Sequence, residues 1–404
     1  MASIGNIGLL VAATLLLTSS ATGLSSDFPT SVDEFSGRFY KEAVNQDDNK
    51  GKNTIMSPLS ADVVMSMVAL GAQGETKKEI TNSLCMEDFD KMTSSIQTTL
   101  DAINKVEGVT LELANKLYVK PSRTGKLDSI VPSYKTSVQN IFKSETQQID
   151  FSQSAAAAAE INKWVEDHTN NKIKDLISQD DLSDLTAAVL VNAIYFKGRW
   201  AKKFKVENTK KEDFCLADGS KIKVDMMKQK NKFLYRDAVE LDAQIIVLPY
   251  EKEQVSLVVI LPKSIDGLPA LESKLANGTK QFLTDLYEFE VILSLPKFLI
   301  ETKIDVKDVF EKLGTKLVFN QGQAELRGIV EGKEDLYVSS AVQKAFIEVN
   351  EEGAEAAAAT GVIAITRSGR VYPLAEFKAD HPFFFDMITE NSLDLFRGSY
   401  QGKE

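Results

Sequence analysis

The sequence predicts a single α+β domain, and three observations support that class. Segments with apolar residues at helical spacing occur along much of the chain. Runs rich in β-branched and aromatic residues, densest over residues 214–262, read as strands. No linker rich in Pro, Gly or Ser divides the chain, although 404 residues at roughly 150 per domain would suggest two or three domains. We therefore expect residues 24–404 to fold as one domain.

Helices are predicted where apolar residues recur every three or four positions. The first covers residues 27–42, and the second covers residues 59–70, where Ser57 or Ser60 can cap the start and Gly71 can end the helix. Further helices are predicted at residues 76–84, 155–168 and 306–313.

Strands are predicted from apolar runs that end at turn residues. A nearly unbroken apolar run over residues 188–196 favours a fully buried central strand. A turn at Asp218-Gly219 interrupts the β-rich stretch. The sequence also predicts strands at residues 53–56, 110–119, 255–261 and 289–295, and one long strand over residues 336–350 that leads straight into the segment beyond it.

The charge of the chain bears on its partners. The formal net charge is −11, which argues against nucleic acid or a heparin-type polyanion as a main partner. At the N-terminus, an apolar run over residues 7–17 precedes the small residues Ser19, Ser20 and Ala21. The run is too short to cross a bilayer, so we interpret residues 1–23 as a secretory signal peptide, cleaved after Ala21 or Gly23. We therefore expect a secreted, extracellular protein without a membrane anchor.

Secretion would bear on the two cysteines and on the one N-glycosylation motif. Cys85 and Cys215 lie far apart; secretion permits a disulfide, but two cysteines in a large domain more often stay unpaired. Asn277-Gly278-Thr279 is an N-glycosylation sequon at a predicted exposed turn, so Asn277 is the candidate glycan site.

Motifs for catalysis, metals and cofactors are missing from the sequence. The two histidines are His168, which can interact with carbonyls at a helix end, and His381, which follows Asp380. No Gly-x-Ser-x-Gly elbow accompanies them, so we interpret His381 as structural. No His-Glu-x-x-His, Cys-x-x-Cys, Walker or dinucleotide motif occurs. We expect neither an enzyme nor a metal or cofactor site.

One segment, residues 351–368, combines small side chains with a single basic residue at its end. Its alanines have a high helix propensity and would allow a helix. Gly353, Gly361 and a β-branched run at residues 362–366 favour an extended conformation instead. As a strand it would have one uncharged face, since side chains alternate between faces. The uncharged face would carry Ala354, Ala356, Ala358, Thr360, Val362 and Ala364. Arg367, followed by Ser368, is a residue that a trypsin-like protease accepts.

Glu-Glu-Gly-Ala-Glu-Ala-Ala-Ala-Ala-Thr resembles the hinge of the serpins, a family of serine protease inhibitors. Ser57-Pro58-Leu59-Ser60, the Leu-Ala-Asn strand motif, Phe196-Lys197-Gly198-Arg199-Trp200 and the segment 377–385 are also similar to that family. The resemblance implies a mixed large central sheet with smaller additional sheets, eight or nine helices, and an exposed reactive-centre loop over about residues 351–373. The implied hinge comprises Glu351, Glu352, Gly353, Ala354, Glu355, Ala356, Ala357, Ala358, Ala359 and Thr360.

The resemblance also implies roles for residues outside the loop. Ser57, Ser60, Asn192 and Gln343 would lie in the shutter beneath the central sheet, and Trp200 at its top, where the loop begins to insert. Two positions depart from the family pattern. Gln343 stands where His is frequent, although an amide can still donate and accept. Ala354 stands where Thr or Ser is common.

By this resemblance the reactive bond, sixteen residues on from Glu351, is Arg367–Ser368, and Arg370 is the rival reactive residue. The implied function is a secreted, monomeric suicide-substrate inhibitor similar to arthropod members of the family. It would form a covalent acyl complex with a trypsin-like serine protease and trap it by loop insertion. The alternative is a non-inhibitory carrier or storage protein with the same fold.

Overall fold

The computed structural model describes residues 27–121, 130–331, 336–353 and 373–403 of the chain. Within these ranges it contains eight α-helices. They are α1 (Asp27–Val44), α2 (Pro58–Gly71), α3 (Gly74–Ser83), α4 (Phe89–Ile103), α5 (Pro132–Phe142), α6 (Ser154–His168), α7 (Leu268–Lys274) and α8 (Val306–Leu313).

Fourteen strands accompany the helices in the same ranges. They are β1 (Thr54–Met56), β2 (Val109–Val119), β3 (Glu145–Gln148), β4 (Ala188–Gly198), β5 (Lys210–Cys215), β6 (Lys221–Ala238), β7 (Ala243–Pro249), β8 (Val255–Pro262), β9 (Tyr287–Pro296), β10 (Phe298–Asp305), β11 (Ser340–Val349), β12 (Leu374–Lys378), β13 (Phe383–Thr389) and β14 (Asp394–Tyr400). The predicted α+β class is confirmed.

The strands form two sheets. The first has five strands in the order β10, β11, β4, β2, β3, and it is mixed, because β11 runs parallel to β4 and β2 runs parallel to β3. The second has nine strands in the order β1, β14, β13, β8, β7, β6, β9, β12, with β5 paired to β6. Its pairs are antiparallel except β9 with β12.

The five-stranded sheet separates two layers of apolar side chains. On β4, Leu190 and Ile194 face the main core, which extends from α1 to β14. Their neighbours Val191 and Tyr195 face α6, where Ile161 is among the buried partners. Both faces of β4 are buried, so the prediction of a buried central strand is confirmed.

Local signals explain where individual helices begin and end. The Ser57 hydroxyl oxygen accepts a hydrogen bond from the Ser60 N–H at 3.2 Å and so caps α2. Asp305 caps α8 in the same way, over 3.0 Å to the Asp308 N–H. Gly314 ends α8 with φ of +108°, a left-handed conformation that favours glycine. None of the helices in the described ranges is long and apolar enough to cross a membrane.

Candidate functional site

The centre of the five-stranded sheet is a parallel pair, β4 and β11. These strands are bonded directly to each other, from the pair Val189–Ser340 to the pair Tyr195–Phe346. We call the boundary between them the seam. A segment that folded back after β11 and entered the seam would run antiparallel to both strands, the orientation in which a short turn can join neighbouring strands.

A buried polar cluster crosses the seam. The Gln343 amide accepts from the Ser57 N–H (2.8 Å) and donates to the Ser57 carbonyl (2.9 Å) and to Asn192 Oδ1 (2.6 Å). Asn192 Nδ2 donates to the carbonyl (3.1 Å) and the hydroxyl (2.5 Å) of Ser60 and to Asn115 Oδ1. All five residues are buried. The cluster therefore ties the N-terminus of α2 to β2, β4 and β11.

The structure brings together the four residues expected in the shutter, Ser57, Ser60, Asn192 and Gln343. It also adds Asn115, which the sequence reasoning placed on a strand without giving it a role. Asn115, Asn192 and Gln343 are consecutive partners across three strands. The Leu-Ala-Asn motif in β2 was the available signal for this residue, but only the strand register shows that its amide faces the cluster.

Trp200 lies at the end of the seam where β11 stops. Its Nε1–H donates to the Asn350 carbonyl (2.8 Å), and its backbone N–H donates to the Glu352 carbonyl (2.9 Å). The Phe204 N–H donates to the Glu351 carbonyl at 3.0 Å. Trp200 is buried and stacks on Tyr250, with ring centroids 4.4 Å apart. The first residues of the expected hinge are therefore held by the segment that follows β4.

Residues Asn350 to Gly353 form a tight turn, so the strand predicted over residues 336–350 is shorter than expected and does not lead straight into the hinge. The strand β11 covers only Ser340–Val349. The N–H and carbonyl of Asn350 bond the carbonyl and N–H of Gly353 at 3.1 and 3.2 Å. Gly353 has φ of +118°, and a Cβ there would lie 2.2 Å from the Gly198 carbonyl oxygen, so no other residue fits. The chain reverses because of this glycine and this close approach.

The first two glutamates of the hinge, Glu351 and Glu352, are held by basic side chains. Glu351 lies 3.1 Å from Lys297 Nζ and accepts from the Thr209 hydroxyl at 2.9 Å, and Glu352 lies 2.8 Å from Lys203 Nζ. Burial by itself raises the pKa of Glu351. Bonds from its own backbone N–H, from Lys297 and from Thr209, with the Lys297 charge, more than offset that effect and hold the pKa below its ordinary value.

The remaining residues expected in the hinge, Ala354, Glu355, Ala356, Ala357, Ala358, Ala359 and Thr360, lie outside the described residues, as do Arg367, Ser368 and Arg370. The expected signal peptide, residues 1–23, lies outside them too.

The histidines have structural partners. His381 Nε2 lies 2.7 Å from the Pro262 carbonyl oxygen, and Nδ1 lies 3.0 Å from Asp380 Oδ1. The bond to His381, helped by Lys378, lowers the pKa of Asp380 to about 2. His168 Nδ1 lies 2.7 Å from the Trp164 carbonyl oxygen, as expected for a histidine at a helix end.

The sequon has one exposed and one buried end. Asn277 is exposed in a turn after α7. Thr279 is buried, and its hydroxyl donates to Asp386 Oδ2 (2.6 Å) and accepts from Arg397 Nη2 (3.2 Å). Thr279 therefore has a structural role that is independent of any glycan.

Both cysteines, Cys85 and Cys215, are free, and Cys85 Sγ accepts from Arg38 Nη1 at 3.1 Å. Among the residues with assigned positions, no group of three or more His, Cys, Asp or Glu side chains is arranged to hold a metal ion.

This fold and seam have direct relatives among known proteins. The model of the serpin (serine protease inhibitor) family matches residues 30–401, and the chain belongs to that family. It is 40% identical over 383 residues to antichymotrypsin-2 of Bombyx mori, an alignment that covers 94% of this chain and all of that protein. It is 39% identical to antitrypsin of the same species, over 94% of this chain and 95% of the relative, and 39% identical to alaserpin of Manduca sexta, over 95% and 96%.

Solved structures agree with the sequence comparison. Serpin48 of the insect Tenebrio molitor superimposes with a TM-score of 0.83 at 35% identity, covering 93% of this chain and 98% of that one. A cleaved serpin 42Da superimposes with a TM-score of 0.80 at 34% identity, covering 92% and 97%. The expectation of a serpin fold is confirmed.

Proposed function

We propose that this protein is a secreted suicide-substrate inhibitor of trypsin-like serine proteases, cleaved at Arg367–Ser368. In this proposal, the acyl-enzyme is trapped when the hinge enters the seam as a new strand. The observation that carries the proposal is the register of the turn Asn350–Gly353, which matches both strands of the seam.

The register can be extended from contacts that already exist. Gly353 pairs antiparallel with Arg199, just beyond the end of β4. If this antiparallel pairing continued, each step forward along the hinge would move one residue back along β4. Thr360, seven residues after Gly353, would therefore pair with Asn192, seven residues before Arg199. The turn pairs Gly353 with Asn350 at the end of β11, so on that side Thr360 would meet Gln343. Asn192 and Gln343 are already partners. The seam would therefore have to separate laterally, without sliding, to admit the hinge.

The same register sorts the hinge side chains between the two layers. Ala356, Ala358 and Val362 would lie opposite Phe196, Ile194 and Leu190 of β4, which face the main core. Directly opposite residues share a face of the sheet. The uncharged face of the hinge would thus be the buried one. Glu355 would fall opposite Lys197, which is only half-buried.

The proposed chemistry uses the catalytic serine of the target protease. Its Oγ attacks the carbonyl carbon of Arg367, and its proton passes through the histidine of the protease to the nitrogen of Ser368. The Arg367–Ser368 bond breaks, Ser368 becomes a new N-terminus, and Arg367 remains as an ester on the protease. Insertion before water attacks the ester would leave the protease attached.

Insertion would add one ladder of about a dozen hydrogen bonds, at about 0.5–1.5 kcal/mol each. This ladder would stabilise the inserted form by a free energy on the order of 10 kcal/mol.

Specificity and location complete the proposal. Arg367 fits a trypsin-like protease, because the primary pocket of such enzymes carries a carboxylate. One relative bears the name antitrypsin, although another of similar identity is called antichymotrypsin-2. Secretion rests on the signal pattern of residues 1–23, and glycosylation at Asn277 rests on the exposed sequon. We propose a monomer, since one chain contains both the loop and the seam.

The test is incubation of the mature protein with trypsin, followed by a denaturing gel and mass spectrometry. The proposal predicts a complex that survives SDS, a released C-terminal fragment that begins at Ser368, and loss of the complex in Arg367→Ala. A fragment that begins at Val371 would assign the reactive bond to Arg370 instead. Complete cleavage at either bond without a complex would support the carrier alternative.

A further inference from the structure

An open cleft of about 990 Å³ lies beside the outer edge of the five-stranded sheet, away from the hinge. One wall is the edge strand β10, from Leu299 to Lys303 and at Asp305. The opposite wall is the loop that joins α1 to β1, over residues 45–53. The strand β10 begins next to Lys297, which holds the hinge, and ends at Asp305. The cleft therefore extends along this strand towards the end of the sheet remote from the proposed reactive loop.

The loop covers the backbone of β10 at one end only. Gln46 Nε2 donates to the Asp305 carbonyl (2.8 Å), and Gln46 Oε1 accepts from the Asp305 N–H (3.2 Å). Asn49 Nδ2 lies 3.5 Å from the Lys303 carbonyl oxygen. These contacts show that residues 305 and 303 direct their backbone groups outward, away from β11. In an antiparallel strand every second residue does so, and the pairing of β10 with β11 has no bulge.

By that alternation, Leu299 and Glu301 also direct their N–H and carbonyl groups outward. Within the described part of the chain, no hydrogen bond reaches these outward groups. An uncovered edge of this kind is a template for an additional strand. The stretch from Leu299 to Lys303 is five residues, about 16 Å, and matches five or six residues of an extended peptide.

The side chains around the edge define the chemistry of the occupant. Of the carboxylates that line the cleft, Asp181, Asp308 and Glu301 are ion-paired with Lys303, Lys312 and Lys344, and Asp305 caps α8, which leaves Asp47, Asp48 and Lys52 as the charges open to an occupant. Asp47 and Asp48 are exposed on the wall that faces the open edge. Leu299 is 55% exposed, unusual for a leucine on a strand, and offers an apolar contact next to these charges.

We propose that the edge of β10 between Leu299 and Lys303 binds an extended, Lys- or Arg-bearing segment of a partner protein as a sixth strand. Main-chain hydrogen bonds to Leu299 and Glu301 supply the affinity, and Asp47 and Asp48 select for positive charge. The site is independent of the reactive bond, so it can be tested whether or not the proposed inhibition is correct.

The test is calorimetric titration of the full mature protein with the peptide acetyl-Lys-Val-Lys-Val-Lys-Val-amide. The control peptides replace its lysines with glutamates or methylate alternate backbone nitrogens. We expect the lysine peptide to bind and each control to bind at least about tenfold more weakly. One lost hydrogen bond of about 1.4 kcal/mol corresponds to tenfold in affinity.

Two variants of one residue separate the backbone from the side chain. Leu299→Pro removes an outward N–H, which an edge strand tolerates, while Leu299→Ala keeps it. We expect Leu299→Pro to weaken peptide binding at least about tenfold more than Leu299→Ala, with melting temperatures of the two variants within a few degrees. Asp47→Asn with Asp48→Asn should weaken binding of the lysine peptide and strengthen that of the glutamate peptide, because the like-charge repulsion is removed.

Three results would overturn the proposal: equal binding of the lysine and the N-methylated peptide, equal effects of the proline and alanine variants, or no binding of any peptide. Self-association of the protein through this edge, seen in sedimentation and abolished by Leu299→Pro, would replace the partner segment with a second copy of the chain.

Discussion

Gln343 Nε2 donates a hydrogen bond to Asn192 Oδ1 over 2.6 Å, across the parallel boundary between β11 and β4. The amide of Gln343 also pairs with both backbone groups of Ser57. This side chain therefore adds a bond across the seam to the backbone ladder and ties the seam to the start of α2.

Removing this amide should loosen the closed form. Gln343→Ala leaves the N–H and carbonyl of Ser57 and the oxygen of Asn192 buried without this partner, and each such group costs about 1–3 kcal/mol. We expect the free energy of unfolding of the intact protein, measured by urea denaturation, to fall by about 3 kcal/mol. Gln343→His, whose ring can donate and accept, should lose less than half as much. Equal losses in both variants would contradict the assigned hydrogen bonding.

The proposed register makes a separate prediction for Thr360. Thr360→Val preserves shape and removes the hydroxyl that would lie between Asn192 and Gln343 after insertion. The melting temperature of the intact protein should stay within about 1 °C, whereas that of the protein cleaved after Arg367 should fall by a few degrees. A cleaved form that is unaffected by Thr360→Val but sensitive to Ala358→Ser or Val362→Thr would show a different register.

The ion pair between Glu351 and Lys297 should stabilise the turn before insertion. Glu351→Lys removes the pair and places two cations about 3 Å apart in a half-buried site. We expect a lower melting temperature of the intact protein and faster conversion on warming to a form that no longer inhibits. The charge-swapped double variant Glu351→Lys with Lys297→Glu should recover at least half of the loss. No recovery would mean that the contact acts through packing and not through charge.

The hinge should tolerate no bulky side chain at Ala354, the first position after Gly353. Ala354→Arg would place a long side chain opposite Gly198, a glycine whose surroundings are so tight that an added Cβ would lie within about 3 Å of Tyr250, Phe196 and Val109. Insertion should stall, and trypsin should cleave the variant and be released. The measurement is the number of inhibitor molecules consumed per trypsin inactivated, which should rise at least about tenfold. Ala354→Ser is the matched control and should behave as the parent.

Stability should fall as pH rises from about 4 to 8. Burial raises the pKa of Asp62 to about 8, and burial raises that of Glu272 to about 7, against the opposing bond from Tyr40. Because the folded pKa is above the unfolded one, each group stabilises the fold fully at low pH and loses that contribution as the pH passes through the folded value. Asp62→Asn should flatten the pH dependence of the unfolding free energy by up to about 1.4 kcal/mol per pH unit. An unchanged slope would mean that Asp62 is ionised in the fold.

The sequence predicted best those elements whose signals are local. The cap at Ser57, the helix at residues 306–313 and the apolar run of β4 depend on neighbours in the chain, and each lies where it was expected. Helices α4, α5 and α7 were not assigned. The pairing of β4 with β11 joins segments that are distant in the sequence, and no periodicity within either strand shows it.

The sequence identified most residues of the site but not their arrangement in space. Glu-Glu-Gly reads as the continuation of a strand, and only the close approach of Gly353 to Gly198 explains why the chain turns there. The partners of Glu351 and Glu352, which are Lys297 and Lys203, have no motif of their own. Their roles follow from the fold, which brings them to the end of the seam.

If insertion stabilises the chain, cleavage after Arg367 should raise the melting temperature. The intact protein and the protein cleaved after Arg367 should be heated under identical conditions and followed by circular dichroism. On the order of 10 kcal/mol gained by insertion predicts that the cleaved form melts on the order of 10 °C higher. A cleaved form that melts at or below the temperature of the intact one would rule out a stabilising insertion, and no free energy would then be available to trap a protease.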